Sequence, residues 1–225
     1  MVDFDPLDPE FQADPYPVYD RLRASTPLHY WEAGNIWFVT NYEACVALLK
    51  HRNLGHEVQR DTAHEEPARR EPPARHAPLF EMHRHWMLLR DPPAHTRLRA
   101  LVHEAFTPRM IDRLQSRIQT ATEQLIDAAQ GRGEMDVVED FAAPLPVMVI
   151  ADMVGIPECD RGSLRRWSRD LADTVELTDA PEVYDRGAAA TVEFSAYLRD
   201  LARDRRRQPR QDLMTALVHA EAQGD

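Results

Sequence analysis

The chain has 225 residues, 43% of them hydrophobic and 29% charged, a balance that suits one large folded domain or two small ones and argues against disorder and against a membrane-embedded class. Lysine and arginine number 27 against 38 aspartates and glutamates, a formal net charge of -11, so no nucleic-acid partner is expected. Two cysteines, Cys45 and Cys159, are too few for a four-cysteine or C-x-x-C site, and no stretch approaches the roughly 20 apolar residues of a spanning helix, so no membrane partner is expected either.

The opening residues Met1 to Pro6 are acidic and broken by proline, unlike a signal peptide, which makes the expected location cytoplasmic. Pro15 and Pro17 open a short amphipathic helix through Val18 and Leu22. Leu28 to Trp31 and Ile36 to Thr40 flank a turn at Glu32 to Asn35 and read as a hairpin. Asn41 can cap the next helix, where Cys45, Leu48 and Leu49 share a face, so Cys45 is expected to be a core thiol. From His56 to about Pro78 the chain is charged and rich in proline, and its length suits a lid, a binding loop or disorder.

Asp91-Pro92-Pro93 starts a helix from Ala94 to Phe106. Thr107-Pro108 starts another, whose Ile111, Leu114, Ile118, Leu125 and Ile126 form a stripe that Gly131 ends after about 23 residues, or roughly 34 Å. Val147 to Val154 is apolar nearly all round, which predicts a helix buried on every side. Leu164 to Val175 and Val183 to Arg207 read as two helices separated by Glu176 to Pro181, and Asp212 caps a last one from Leu213 to about Ala222. The dense run Arg203 to Arg207 with Arg210 reads as a solvated helix end. No internal repeat and no domain boundary is evident.

Nucleotide-binding glycine loops, the G-x-S-x-G elbow and the H-E-x-x-H zinc motif are all missing. His76, His83, His85, His95 and His103 lack metal-ligand spacing and read as solvated loop histidines. The helix from Ala94 is more informative. At about 100° per residue, with His95 at zero, Leu98, Leu101, Val102 and Ala105 fall at roughly 300°, 240°, 340° and 280° and make an apolar stripe. Arg99, at about 40°, lies one turn above His95 along the edge of that stripe, whereas Arg97 at about 200° points the other way, on the opposite side of the helix from Arg99. Such a pair can clamp an anion at the rim of an apolar pocket, or the arginine can lay its stem along the apolar face.

The run Asp91-Pro92-Pro93-Ala94-His95-Thr96-Arg97-Leu98-Arg99, continued by Leu101-Val102 and Ala105-Phe106-Thr107-Pro108, closely resembles the C helix of soluble bacterial cytochromes P450, whose usual form is D-P-P-E-H-T-R-L-R. Asp14-Pro15-Tyr16-Pro17 looks like the family's first helix, Trp37 to Thr40 like its early strand, and Leu145-Pro146 with Gly155-Ile156-Pro157 like its E helix and exit. The resemblance runs from about Asp5 to the end and covers helices A to H. It implies a mainly α fold with a small β-hairpin, residues 1–225 forming the N-terminal portion of one P450 domain. About 56–90 would be the B–C region, about 94–106 the C helix and about 164–207 the F/G region.

The resemblance also implies a haem-thiolate monooxygenase that inserts one oxygen atom from O2 into an apolar small molecule, with haem b as cofactor and a ferredoxin or flavodoxin as electron donor. His95 and Arg99 would bind the haem propionates, and the loop Trp86, Met87, Leu88 and Leu89 would line the substrate pocket. The family's I helix, its K-helix E-x-x-R and its F-x-x-G-x-H-x-C-x-G cysteine loop would follow Asp225, so the axial thiolate is expected outside this chain and the 225 residues alone are expected to be inactive. Cys159 sits between Glu158 and Asp160, whose charges oppose a thiolate. The alternative is a truncated, non-catalytic haem- or small-molecule-binding helical module, and behind it a plain scaffold protein.

Overall fold

The computed structural model describes residues 4–56, 72–106 and 108–222. It is mainly helical with one two-stranded antiparallel sheet. The described residues fall into two compact units, 4–56 with 176–180, and 72–175 with 181–222, a division that no composition shift announces.

In the first unit, Asp8 caps the short helix α1 (Pro9–Ala13) through the Glu10 N–H at 2.8 Å. Helix α2 (Tyr16–Ser25) follows, with Leu22 fully buried. Strands β1 (Leu28–Trp31) and β2 (Ile36–Val39) pair as Leu28 with Val39 and Tyr30 with Trp37. Their turn ends at Asn35 with φ of 52°, a left-handed conformation that asparagine tolerates. Buried Phe4 meets Phe11, His29 and Phe38 edge to face at 5.1, 5.4 and 4.8 Å. Helix α3 (Tyr42–Leu49) is capped by Asn41, which accepts the Ala44 N–H at 3.0 Å. Cys45 is only half-buried, its Sγ 3.3 Å from the Val39 carbonyl. The expected apolar face is not a core face, because Leu49 is 88% exposed. The helix meets the hairpin at Cys45 and leaves its last turn exposed.

The second unit begins with a 3₁₀ turn at Ala74–His76 and helix α4 (Ala77–His85). The charged, proline-rich stretch expected to run as a loop to about Pro78 therefore turns helical before its end, and its residues 57–71 lie outside those described. Pro78 stands in the first turn of α4, and Leu79, Met82 and Trp86 pack inward at helical spacing. A 3₁₀ turn at Met87–Leu89 leads to α5 (Ala94–Ala105) and then α6 (Pro108–Gln130), 23 residues long as its stripe predicts. After a π-helical turn at Val137–Ala142 comes α7 (Pro144–Val154). Only Ala151 of α7 is buried and Ile150 is half-exposed, which corrects the expectation of burial on every side. Helices α6, α8 and α10 cover α7 only in part.

Helix α8 (Arg161–Ala172), a 3₁₀ turn at Asp173–Val175, α9 (Pro181–Arg207) and α10 (Leu213–Ala222) complete the unit. Asp212 caps α10 through the Thr215 N–H at 2.8 Å. The 27-residue α9 carries both cores. Leu79, Trp167, Leu171, Ala188 and Ala190 form one, and Ala151, Ile156, Leu164 and Leu201 the other.

Helix α4 and the Asp173–Val175 turn approach α9 closely because position 187 is glycine. A Cβ there would lie 2.3 Å from Thr174 Cγ2 and 3.3 Å from Leu79 Cδ2. Overpacking of this kind costs about 1–3 kcal/mol, and the gain in helix propensity from glycine to alanine offsets only about 1 kcal/mol of it. Gly187→Ala should therefore lower the urea midpoint, whereas a raised midpoint would show that the Asp173–Val175 turn and α9 can part without cost.

Candidate functional site

Helix α5 is where the sequence places its chemistry. Its entry is set by backbone bonds from the His95 N–H to the Asp91 carbonyl at 3.0 Å and from the Arg97 N–H to the Pro93 carbonyl at 3.1 Å. One side of the helix packs on the Met87–Leu89 turn and on α10. Leu98, Leu101 and Val102 are accordingly half-buried, while Arg97 and Arg99 are exposed and His95 is half-buried. Leu98, Leu101 and Val102 thus share the packed face that the angular reading gives them. Among the described residues, the side chains of His95, Arg97 and Arg99 make no hydrogen bond or ion pair. Lack of a partner therefore does not separate the three, and what does is side, since His95 and Arg99 share one flank of the apolar stripe and Arg97 stands on the opposite flank.

The loop before α5 is mixed in character. Leu88 is 65% exposed, Met87 and Leu89 are half-buried, and Trp86 packs against the core cluster around Leu79 and Trp167. Cavities of about 270 and 290 Å³ lie elsewhere, the first against Phe4, Phe11 and Asp14, the second between Ser116, Thr120, Asp152 and Arg161.

The histidines depart from the expected solvated loop because α4 is a helix docked on α9. His76 is 4% exposed, with Nε2 2.6 Å from Asp185 Oδ1. His83 is half-buried, and its ring lies 4.6 Å from that of Trp86. The Thr174 hydroxyl donates to the Leu171 carbonyl at 2.6 Å, so its oxygen accepts from His83 Nε2 at 3.1 Å. Burial lowers the affinity of His83 for a second proton and favours the neutral ring. His85 on α4 is exposed and pairs with Glu81 at 3.1 Å, and His103 is exposed on α5. Among the described residues, no group of three or more His, Cys, Asp or Glu side chains is placed to hold a metal ion. No described helix is long and apolar enough to cross a membrane.

The arginine run at the end of α9 also needs correction at one position. Arg203, Arg206, Arg207 and Arg210 are exposed, but Arg205 is 2% exposed and bound to Asp212. Sequence reasoning could not find Asp185, Thr174 or the inward turn of Arg205. Each meets its partner through tertiary packing, at a separation of 109 residues for His76 and Asp185 and 91 for His83 and Thr174.

No family model matches the chain. It is 35% identical over 231 residues to the polyketide biosynthesis cytochrome P450 PksS of Bacillus subtilis (strain 168), covering 98% of this chain and 54% of that protein. It is 34% identical over 229 residues to the epothilone C/D epoxidase of Sorangium cellulosum, covering 99% and 53%. The crystal structure of P450BioI in complex with an acyl carrier protein ligated to hexadec-9Z-enoic acid superposes with a TM-score of 0.80 at 32% identity, over 93% of this chain and 53% of that one. The chain spans about half the length of the curated relatives it matches.

Proposed function

Because the chain belongs to the bacterial cytochrome P450 family, we propose that it forms the N-terminal part of a haem-thiolate monooxygenase acting on an apolar small molecule. The observation that carries this reading is that His95 and Arg99 stand one turn apart on one flank of α5, the helix that packs on the Met87–Leu89 turn. Haem b, when bound, supplies the insertion of one oxygen atom from O2 into a C–H or C=C bond.

The residues present fit that group. His95 offers an imidazole donor and Arg99 a guanidinium fork, neither bonded to a described side chain, so both are available to the propionate carboxylates. Arg97 lies on the far side and serves no such purpose. Met87, Leu88 and Leu89 would offer apolar contacts to substrate, with Trp86 anchoring the loop to the core. Electrons would come from a ferredoxin or flavodoxin.

The axial thiolate comes from a part of the protein outside these 225 residues. Cys45 Sγ lies against the Val39 carbonyl in the first unit, and Cys159 is exposed with its thiol directed at Asp160 Oδ1, 3.6 Å away. In the haem-loaded full-length protein, Cys45→Ala and Cys159→Ala should both keep the thiolate-type spectrum of the reduced carbon monoxide complex. Its loss in either variant, with haem still bound, would place the ligand within this chain and overturn the proposal.

A further inference from the structure

One carboxylate ties α4 to α9. Arg75 Nε and His76 Nε2 lie 2.5 and 2.6 Å from the same oxygen, Oδ1 of Asp185. The His76 side chain is 6% exposed and that of Asp185 48%, so the pair reaches from the surface into the packed face. The hydrogen bond from His76, then that from Arg75, holds the Asp185 carboxyl below the usual carboxylate range, which keeps it an anion in this contact. Just beyond, Leu79 is fully buried among Trp167, Leu171, Ala188 and Ala190. At the other end of α4, His83 bonds to Thr174 and lies against Trp86. The chain then runs into the Met87–Leu89 turn, closed by bonds from the Leu89 N–H to the Trp86 carbonyl at 2.9 Å and from the Arg90 N–H to the Met87 carbonyl at 3.4 Å.

These contacts do different things. Burial of Leu79 holds α4 against α9 but is non-directional, and would permit the helix to rotate or slide. Two donors converging on one oxygen fix direction as well as distance. We infer that Asp185 is a positioning residue for the ligand loop: it sets how the 74–76 turn and α4 dock on α9, and α4 in turn sets the place of Trp86 to Leu89. The inference rests on the reading of Trp86 to Leu89 as pocket residues.

Hydrogen exchange on the full-length protein tests the docking. Asp185→Asn keeps the shape but loses the charge, and should speed exchange of the amides of residues 77–86 by roughly 10- to 100-fold, with Leu89 and Arg90 following and α8 unchanged. Asp185→Glu should restore much of the protection, which a residue of merely structural bulk would not do. Arg75→Ala, at a side chain 60% exposed, should give a smaller rise of about threefold in the same amides, and decides the matter if the Asp185 variant does not fold. Unchanged α4 exchange, or a rise shared equally by α8, would overturn the role of Asp185. A rise in α4 that leaves Leu89 and Arg90 protected would overturn its link to the loop. None of these results depends on haem, so they stand apart from any failure of His95 and Arg99 to bind it.

Discussion

Replacing Arg205 by methionine should destabilise the protein by about 3–5 kcal/mol, the cost of removing one partner from a buried ion pair. The Arg205 side chain is 2% exposed and that of Asp212 is 6% exposed. The guanidinium donates to Asp212 Oδ2 at 2.5 Å, to Asp204 Oδ2 at 2.5 Å and to the Gly155 carbonyl at 2.7 Å, so it joins the end of α7, the end of α9 and the cap of α10. Methionine fills much of the space but leaves Asp212 buried as an unpaired carboxylate. Gly155 could not easily be another residue, since its φ is +90° and a Cβ would lie 2.1 Å from Asp212 Oδ2.

The control is Arg203→Met, which removes an exposed pair with Asp200 and should cost less than about 1 kcal/mol. Urea denaturation of the three proteins gives the comparison, and equal midpoints for the two variants would refute the assignment. A pH dependence goes with it. Burial works against the charge of Asp212, but hydrogen bonds from Arg205 and Thr215 outweigh it and hold the carboxyl below the usual carboxylate range. A carboxyl depressed in the folded state contributes stability above its unfolded pKa and loses it as pH falls through the folded one. The stabilisation by this pair should therefore persist at neutral pH and fade on acidification, a slope that Arg205→Met should flatten.

Arg99→Ala in the haem-loaded full-length protein should weaken haem retention by about 10- to 150-fold, corresponding to about 1.5–3 kcal/mol for a charge-assisted bond at a pocket rim. Arg97→Ala should change retention by less than about threefold, because that side chain projects from the other side of α5 and has only surface electrostatics to lose. His95→Ala should fall between the two, since an imidazole offers one donor to a carboxylate where a guanidinium offers a fork. Haem transfer to an excess of apo-globin measures all three. Similar loss rates for Arg97→Ala and Arg99→Ala would remove the basis for the propionate assignment, whatever the outcome of the hydrogen exchange at α4.

Local chain chemistry by itself determined a good part of this protein. The hairpin around Asn35, the caps at Asn41 and Asp212 and the 23-residue span of α6 each depend on residues within a turn or two of one another. The motif from Asp91 to Arg99 is equally local, which is why the resemblance to the family is legible in the sequence.

Tertiary structure decided the rest. Arg205 belongs to an arginine run that looks solvated at every position, and only the return of the chain at Asp212 beside α9 turns this one side chain inward. Helix α4 is short and lies between prolines and histidines, and docking of Leu79 beside Gly187 selects it as a helix. Cys45 and Ile150 show the converse, because an apolar pattern identifies the face a helix could bury and says nothing of which neighbour arrives to cover it. Burial and ion pairing depend on which distant segments meet. The rotation that selects Arg205 over Arg203, or commits Asp185 to His76, comes from helix packing and leaves no local trace in the sequence.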